Sequence, residues 1–485
     1  MSPTRLSADN TLDEPQKRLL SQMQTANEEV VREGPVRLSK RKLLFKHGRV
    51  GIVMKDPSTN AATASMAKRL FGGLLDGLLS GGSSSGAGQP SQTALPPLQP
   101  SSAVMPMADN STVIGQPQNK QAPASYASGG YPKADLAAAI SGGLQSASPP
   151  VSQGSLGLNI EANDVGYVAT IRIGSAQTPF RMLIDSGSAD TWVASTACQQ
   201  CGNDHQKLGT EVSTSFQHLA GSSFSITYGT GAVRGALGSD NINVAGMTLQ
   251  NHTLGLATQE TTDFSDPSVP FDGLMGLAKT ELSNSNTPTP IDALYQAGLV
   301  TAPVMGYHLG RVADGTNSGE VTFGAVDAQK YQGTLLEIPN VSTKGFWEAA
   351  VTGVSYAGRD LGLTGRTAIL DTGTSLIVAP QADADAVHAA IPGSHADGQG
   401  GYTIPCTTTG VFAFKFQGQT FGIDPRDMTF LPVDQNNRKG DCVSAISAGI
   451  VGDPNEWLVG AAFLKNVYFA TNARDNMIGI ARLAP

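Results

Sequence analysis

Charge is scarce in this chain: 15% of its residues are charged and 6% are aromatic. Long apolar runs are missing too. The stretch Met66–Leu79 is interrupted by Lys68, Arg69 and Asp76, and nothing approaches the roughly 20 apolar residues of a membrane-crossing helix. No membrane span is expected, and no hydrophobic tail at Pro485 signals a lipid anchor. The first fifty residues are polar and charged, with no apolar segment of a secretory signal. Either the true start lies upstream, or export uses a signal of another kind. Net charge is −8 and the sequence pI about 5.4, which argues against a nucleic-acid partner.

Metal and phosphate chemistry lack their usual signatures. The seven histidines are scattered, with no His-Glu-x-x-His helix, and no Gly-rich Lys loop is present. One G-x-S-x-G match, Gly82–Gly86, lies in low-complexity sequence with no strand before it, so it does not mark a serine nucleophile. Neither metal nor cofactor is expected. The four cysteines, Cys198, Cys201, Cys406 and Cys442, fit two disulfides in an oxidising compartment, or four reduced thiols in a core. A single Cys-x-x-Cys without a second one or a His pair does not make a zinc site.

Composition divides the chain. Residues 1–80 carry a basic cluster at Arg37, Lys40, Arg41, Lys42, Lys46 and Arg49. Residues 81–157 are rich in Ser, Gly, Pro and Ala and read as a flexible linker, unable to bury enough surface to offset chain entropy. From 158 onward short apolar runs alternate with Gly, Asn, Asp and Ser, as at Val168–Ile173, Arg181–Ile184, Phe224–Tyr228, Val304–Leu309, Thr367–Leu370, Phe412–Phe416 and Met477–Ala481. That texture predicts an all-β body. Helical periodicity is scarce, and Pro290–Ala297 and Gln381–Ala390 are the best short candidates.

The body repeats itself. Arg181-Met-Leu-Ile-Asp-Ser-Gly-Ser is echoed by Thr367-Ala-Ile-Leu-Asp-Thr-Gly-Thr, and each copy is followed by an apolar-apolar-Gly step, Leu274-Met275-Gly276 and Leu458-Val459-Gly460. A lone Asp-[Ser/Thr]-Gly is usually a turn. Two copies, each after an apolar strand and each with a matched hydroxyl three positions on, imply two lobes (158–334 and 335–485) that each present one carboxylate. Asp185 and Asp371 are the candidate pair. Two carboxyls sharing a proton can take a proton from water and give one to a carbonyl oxygen, and like charges that close cannot both ionise. Gly187 and Gly373 allow close backbone approach. Ser186 and Thr372 can bind the opposite lobe's backbone, and Ser188 and Thr374 can donate to the outer carboxylate oxygens.

With these motifs the chain from about Asn163 to Pro485 resembles the pepsin-like (A1-type) aspartic proteases, in a fungal-type zymogen form. Ile226-Thr-Tyr-Gly-Thr-Gly resembles the family's flap hairpin, and Phe271-Asp-Gly-Leu-Met-Gly-Leu-Ala and Trp457-Leu-Val-Gly its paired threading segments. Phe323-Gly-Ala-Val-Asp and Phe346-Trp347 are similar as well. The resemblance implies a bilobed fold and an aspartic endopeptidase acting on proteins or peptides as a monomer, with hydrophobic residues preferred around the cut and an acidic optimum. It implies that Tyr228 closes over substrate with its hydroxyl toward Trp192, that Gly229 and Thr230 bind substrate backbone from above, and that Gly187 and Gly373 do so from below. Taken alone, Tyr228 is a strand aromatic and Trp192 a core residue. The implied disulfides are Cys198–Cys201 and Cys406–Cys442.

Residues before the body resemble a propeptide, with Lys40–Lys46 the candidate to pair with the dyad; a solvated basic patch is the plain alternative. The family and the cysteines imply a secreted or vacuolar protein. Ser186 stands where Thr is more frequent. Ala461-Ala462 follow Gly460 where many acid-acting members carry an Asp, which points toward activity at milder pH, and Ala470-Thr471-Asn472 also lacks a familiar acid. Asn110, Asn251 and Asn340 head glycosylation sequons. The competing function is a catalytically inactive binder or inhibitor on the same fold.

Overall fold

The computed structural model describes residues 53–54, 129–202 and 204–485. The basic cluster of the first eighty residues, Asn110 and the first part of the Ser/Gly/Pro segment lie outside these residues.

Among the described residues the body is built from sheets of twelve, six, five, four and four strands. Every predicted strand is present. Phe224–Tyr228, for example, alternates buried and outward residues with the period of two expected of a strand with one covered face. The two expected helices form as Pro290–Gln296 and Gln381–Ala389. Thr289 caps the first by accepting from the Asp292 N–H, with Pro290 at the position where a missing N–H costs nothing.

The repeat in sequence becomes a repeat in topology. In the first lobe Gly273–Gly276 lies parallel to Thr178–Asp185 and antiparallel to Thr191–Ser195, with Gly276 opposite Asp185. In the second, Glu456–Val459 lies parallel to Arg366–Leu370 and antiparallel to Ile377–Ala379, with Val459 opposite Leu370. Each threading strand is buried along its whole length, as a strand with a neighbour on both edges and cover on both faces must be. The strand bearing each Asp is therefore held centrally in its sheet.

A six-stranded sheet joins the lobes, drawing Ser155–Gly157, Val304–His308 and Glu320–Phe323 from one half and Tyr331–Pro339, Val467–Asn472 and Met477–Leu483 from the other. The boundary expected at 334/335 falls inside Tyr331–Pro339, so the halves meet within a shared strand. One apolar core runs from Leu158 to Ile480.

The flexible-linker reading of 81–157 is corrected over its last part. Tyr131 is buried, Lys133–Ser141 is a helix, and Leu144–Gln145 and Ser155–Gly157 are strands in the body's sheets. Alanine counted there as a linker residue, whereas Ala is the strongest helix former and Lys133–Ser141 contains four of them. Asn340 is spent structurally: its amide donates to the Phe346 carbonyl and its oxygen accepts from the Glu348 N–H. Asn251, in contrast, is exposed.

Both disulfides form, Cys198–Cys201 and Cys406–Cys442, across sequence separations of 3 and 36 residues. Loop-closure entropy gives the longer bridge the larger effect. Replacing Cys406 and Cys442 together by Ala should destabilise the body by about 4 kcal/mol, against about 2 kcal/mol for Cys198 and Cys201. Urea denaturation of the two double variants measures the difference, and equal losses would contradict it.

Candidate active site

Asp185 ends the strand Thr178–Asp185, and Asp371 directly follows Arg366–Leu370. Both side chains are fully buried and hydrogen-bonded to one another. Their surroundings repeat almost atom for atom. The Gly187 N–H donates to Asp185 Oδ1 at 2.8 Å and Ser188 Oγ to Oδ2 at 2.5 Å. In the other lobe the Gly373 N–H donates to Asp371 Oδ1 at 2.8 Å and Thr374 Oγ1 to Oδ2 at 2.5 Å.

The glycines are required by closeness. A Cβ on Gly187 would fall 2.5 Å from Asp371 Cγ, and one on Gly373 would fall 2.4 Å from Asp185 Oδ1. Each acid thus sits against the glycine of the opposite lobe, a space that no side chain could share.

The two loops are tied by a reciprocal exchange. Ser186 Oγ donates to the Leu370 carbonyl and accepts from the Thr372 N–H, both at 2.9 Å. Thr372 Oγ1 donates to the Ile184 carbonyl at 2.8 Å and accepts from the Ser186 N–H at 2.9 Å. All four groups are buried, so without these bonds each would be left unpaired in the interior. Serine at 186 performs this task in full.

Burial pushes the Asp185 carboxyl well above its ordinary range, and the neighbouring Asp371 adds to the effect; the Ser188 hydroxyl and Gly187 N–H offset part of it. Burial raises Asp371 as well, against the donors around it. Both carboxyls therefore hold a proton more tightly than isolated aspartates, and their titrations belong to the pair. Among the described residues no cation forms an ion pair with either acid.

Tyr228 ends the strand Phe224–Tyr228, and its N–H donates to the Gly231 carbonyl across the tip formed by Gly229 and Thr230. Its hydroxyl accepts from Trp192 Nε1 at 2.7 Å. Trp192 and Tyr228 both meet Phe264 edge-on, so the core-packing and partnering readings of Trp192 hold together. Burial first, then the charges of Asp185 and Asp190, keep the Tyr228 phenol protonated. At the outer edge of this strand Val53–Met54 adds an antiparallel neighbour, Val53 opposite Tyr228 and Met54 opposite Thr227.

Sequence reasoning passed over Asp190. Its buried carboxylate accepts from Ser283 Oγ and the Asn284 N–H, both at 2.8 Å, from the Ser285 N–H at 3.0 Å, and from Ser285 Oγ. It anchors a loop more than ninety positions away, a partner that no local motif announces. Ser375 was passed over too: its hydroxyl donates to the Val165 carbonyl at 2.5 Å, bracing the Asp371 loop from behind.

The family model described as eukaryotic aspartyl protease matches residues 166–483. A probable aspartic-type endopeptidase CTSD of Trichophyton verrucosum is 36% identical over 340 residues, covering 70% of this chain and 65% of its own length. The aspartic-type endopeptidase ctsD of Aspergillus fumigatus is 32% identical, covering 69% of each. Rhizopuspepsin of Rhizopus chinensis is 32% identical, covering 69% of this chain and 83% of its own. The chain thus spans just under two thirds of the first of these relatives.

The exchange between the loops makes a specific demand. Thr372→Val keeps the shape and strands the Ile184 carbonyl and Ser186 N–H, so it should cost about 2–4 kcal/mol in urea denaturation. Thr372→Ser should restore most of that loss. A Val variant within about 0.5 kcal/mol of the parent would show that the bonds contribute nothing.

Proposed function

The chain belongs to the eukaryotic aspartyl protease family, and from that premise we propose that it is an aspartic endopeptidase hydrolysing peptide bonds in proteins through the Asp185–Asp371 pair. The observation that carries this reading is the placement of each acid against the opposite lobe's glycine, where burial and the neighbouring acid raise the Asp185 carboxyl. The ionised member takes a proton from an attacking water while the protonated member gives one to the scissile carbonyl oxygen. Ser188, Thr374, Gly187 and Gly373 hold the carboxyls in register for that exchange, so little reorganisation is needed as charge moves. No metal or cofactor enters this chemistry.

Tyr228, Gly229 and Thr230 form the flap that closes over an extended substrate, with Trp192 fixing the tyrosine. The substrate class is protein or peptide, with apolar residues favoured around the cut. The chain's own N-terminal segment is a second partner for the site: Val53–Met54 pairs with the flap strand, which supports a propeptide role for the region, although Lys40–Lys46 lie outside the described residues. The absence of an acid at Ala461, whose N–H donates to the Thr374 carbonyl at 2.8 Å, supports activity extending to milder pH. The two disulfides support a secreted or vacuolar location, and a monomer carries both acids in one chain. A non-catalytic binder on this fold would tolerate loss of the pair or its donors, and here every one of them is in place.

Hydrolysis of an unfolded protein at pH 3 to 6, with and without pepstatin, tests the activity. Asp185→Asn should lower the rate by about 10³-fold or more. The same variant should become more stable than the parent as pH rises. A carboxyl pair whose folded pKa is raised contributes stability that is complete below the ordinary aspartate value and is lost as pH passes through the raised one. Undiminished cleavage by Asp185→Asn would refute the assignment.

A further inference from the structure

The region that the mechanism leaves unused is the one behind the Asp371 loop. There Tyr131 and the Lys133–Ser141 helix dock on the body and close a polar cavity of about 20 Å³, large enough for one water molecule. Asp135, Asn163, Asp164, Ser375, Asp427 and Lys465 are among its lining residues. Two oxygens there lack a hydrogen-bond partner, Asp135 Oδ1 and Asn163 Oδ1, although both residues are more than nine-tenths buried.

The charges around the cavity do not balance. Lys465 Nζ lies 2.7 Å from Asp164 and 3.0 Å from Asp427, and Arg311 lies 2.5 Å from Asp427. Arg311 also reaches Asp314, and Arg426 is taken by Asp424 and Asp314. Arg438 binds the Tyr131 carbonyl at the entry to the helix. Lys465 and Arg426, the cations that line the cavity, are therefore already engaged with Asp164, Asp427, Asp424 and Asp314, as is Arg311 behind them, and Asp135 would add a further carboxylate. An unpaired buried charge is far more costly than a neutral acid.

The docked segment is connected to the catalytic loop. Tyr131 hydroxyl donates to the Phe430 carbonyl at 2.5 Å and accepts from Asn163 Nδ2. The Ala162 N–H donates to the Gly143 carbonyl, and Leu144–Gln145 pairs with Ile160–Glu161. Val165, just beyond, receives the Ser375 hydroxyl next to Thr374, and Thr374 holds Asp371.

We propose that residues 131–145 are a retained, acid-engaged brace for the Asp371 loop, seated while Asp135 is protonated and released when it ionises. Asp135 is a positioning residue, acting on Asp371 through Asn163, Val165 and Ser375. Burial, then the Asp164 charge, raises its pKa from the ordinary 3.8 to about 7 when docked, with Lys465 and Arg311 opposing and Asp427 reinforcing the shift. The sign follows: docking is complete below the ordinary value, weakens from there upward, and reaches its minimum above about 7.

Amide protection factors of residues 134–141 in the full chain, corrected for intrinsic exchange, test this at pH 4.5 and pH 7. They should fall by about tenfold or more in the parent and stay constant in Asp135→Asn, which mimics the protonated acid. Tyr131→Phe, which leaves the charges intact, should lower protection at both values while keeping the pH dependence. In the pH–rate profile Asp135→Asn should extend activity to higher pH with acid-limb rates unchanged. Protection that is flat with pH in the parent, or that falls equally in Asp135→Asn, overturns the proposal, as does a fully active mature protein beginning after residue 145. The exchange measurement uses no substrate, so a chain without peptidase activity would still show the brace, and an active chain with flat protection would refute the brace alone.

Discussion

Four hydrogen bonds between Ser186 and Thr372 and the backbone of the opposite lobe hold Asp185 and Asp371 together. Each hydroxyl acts as donor and acceptor at once, which only Ser or Thr can do in so small a space. Break the exchange and two buried carbonyls and two N–H groups lose their partners. The loops would then separate, and two aspartates would titrate as ordinary acids instead of sharing a proton.

Everything outside the loops serves that closeness. Threading strands hold the Asp-bearing strands centrally, so that each carboxylate rests on rigid backbone. The shared six-stranded sheet joins the halves beneath. Burial supplies the low dielectric that makes the two charges repel strongly, and it is the first cause of the shift in both acids. The same design carries a cost, because a site built to retain a proton weakens the fold where that proton is lost.

What the amino-acid sequence disclosed was whatever repeats locally. Asp-Ser-Gly-Ser and Asp-Thr-Gly-Thr, the apolar strands before them and the Leu-Met-Gly and Leu-Val-Gly steps are short-range patterns, and all took the places expected of them. Tyr228 and Trp192 met as the resemblance implied. Partners far apart in sequence stayed hidden, such as Asp190 with the loop at 283–285, or Ser375 with Val165. The Lys133–Ser141 helix was concealed by its setting, since an alanine run among Ser, Gly and Pro looks like linker until a surface is found for it. That surface, the ion cluster of Arg311, Asp427, Lys465 and Asp164, is assembled only by the fold.

The sharing of one proton is open to direct observation by carbon-13 titration of the aspartate side-chain carboxyls. Asp185 and Asp371 should titrate in two linked steps, at least one of them well above the ordinary aspartate value, with both signals responding to each step. Two independent transitions near the usual pKa of about 3.9 would contradict the account at its root.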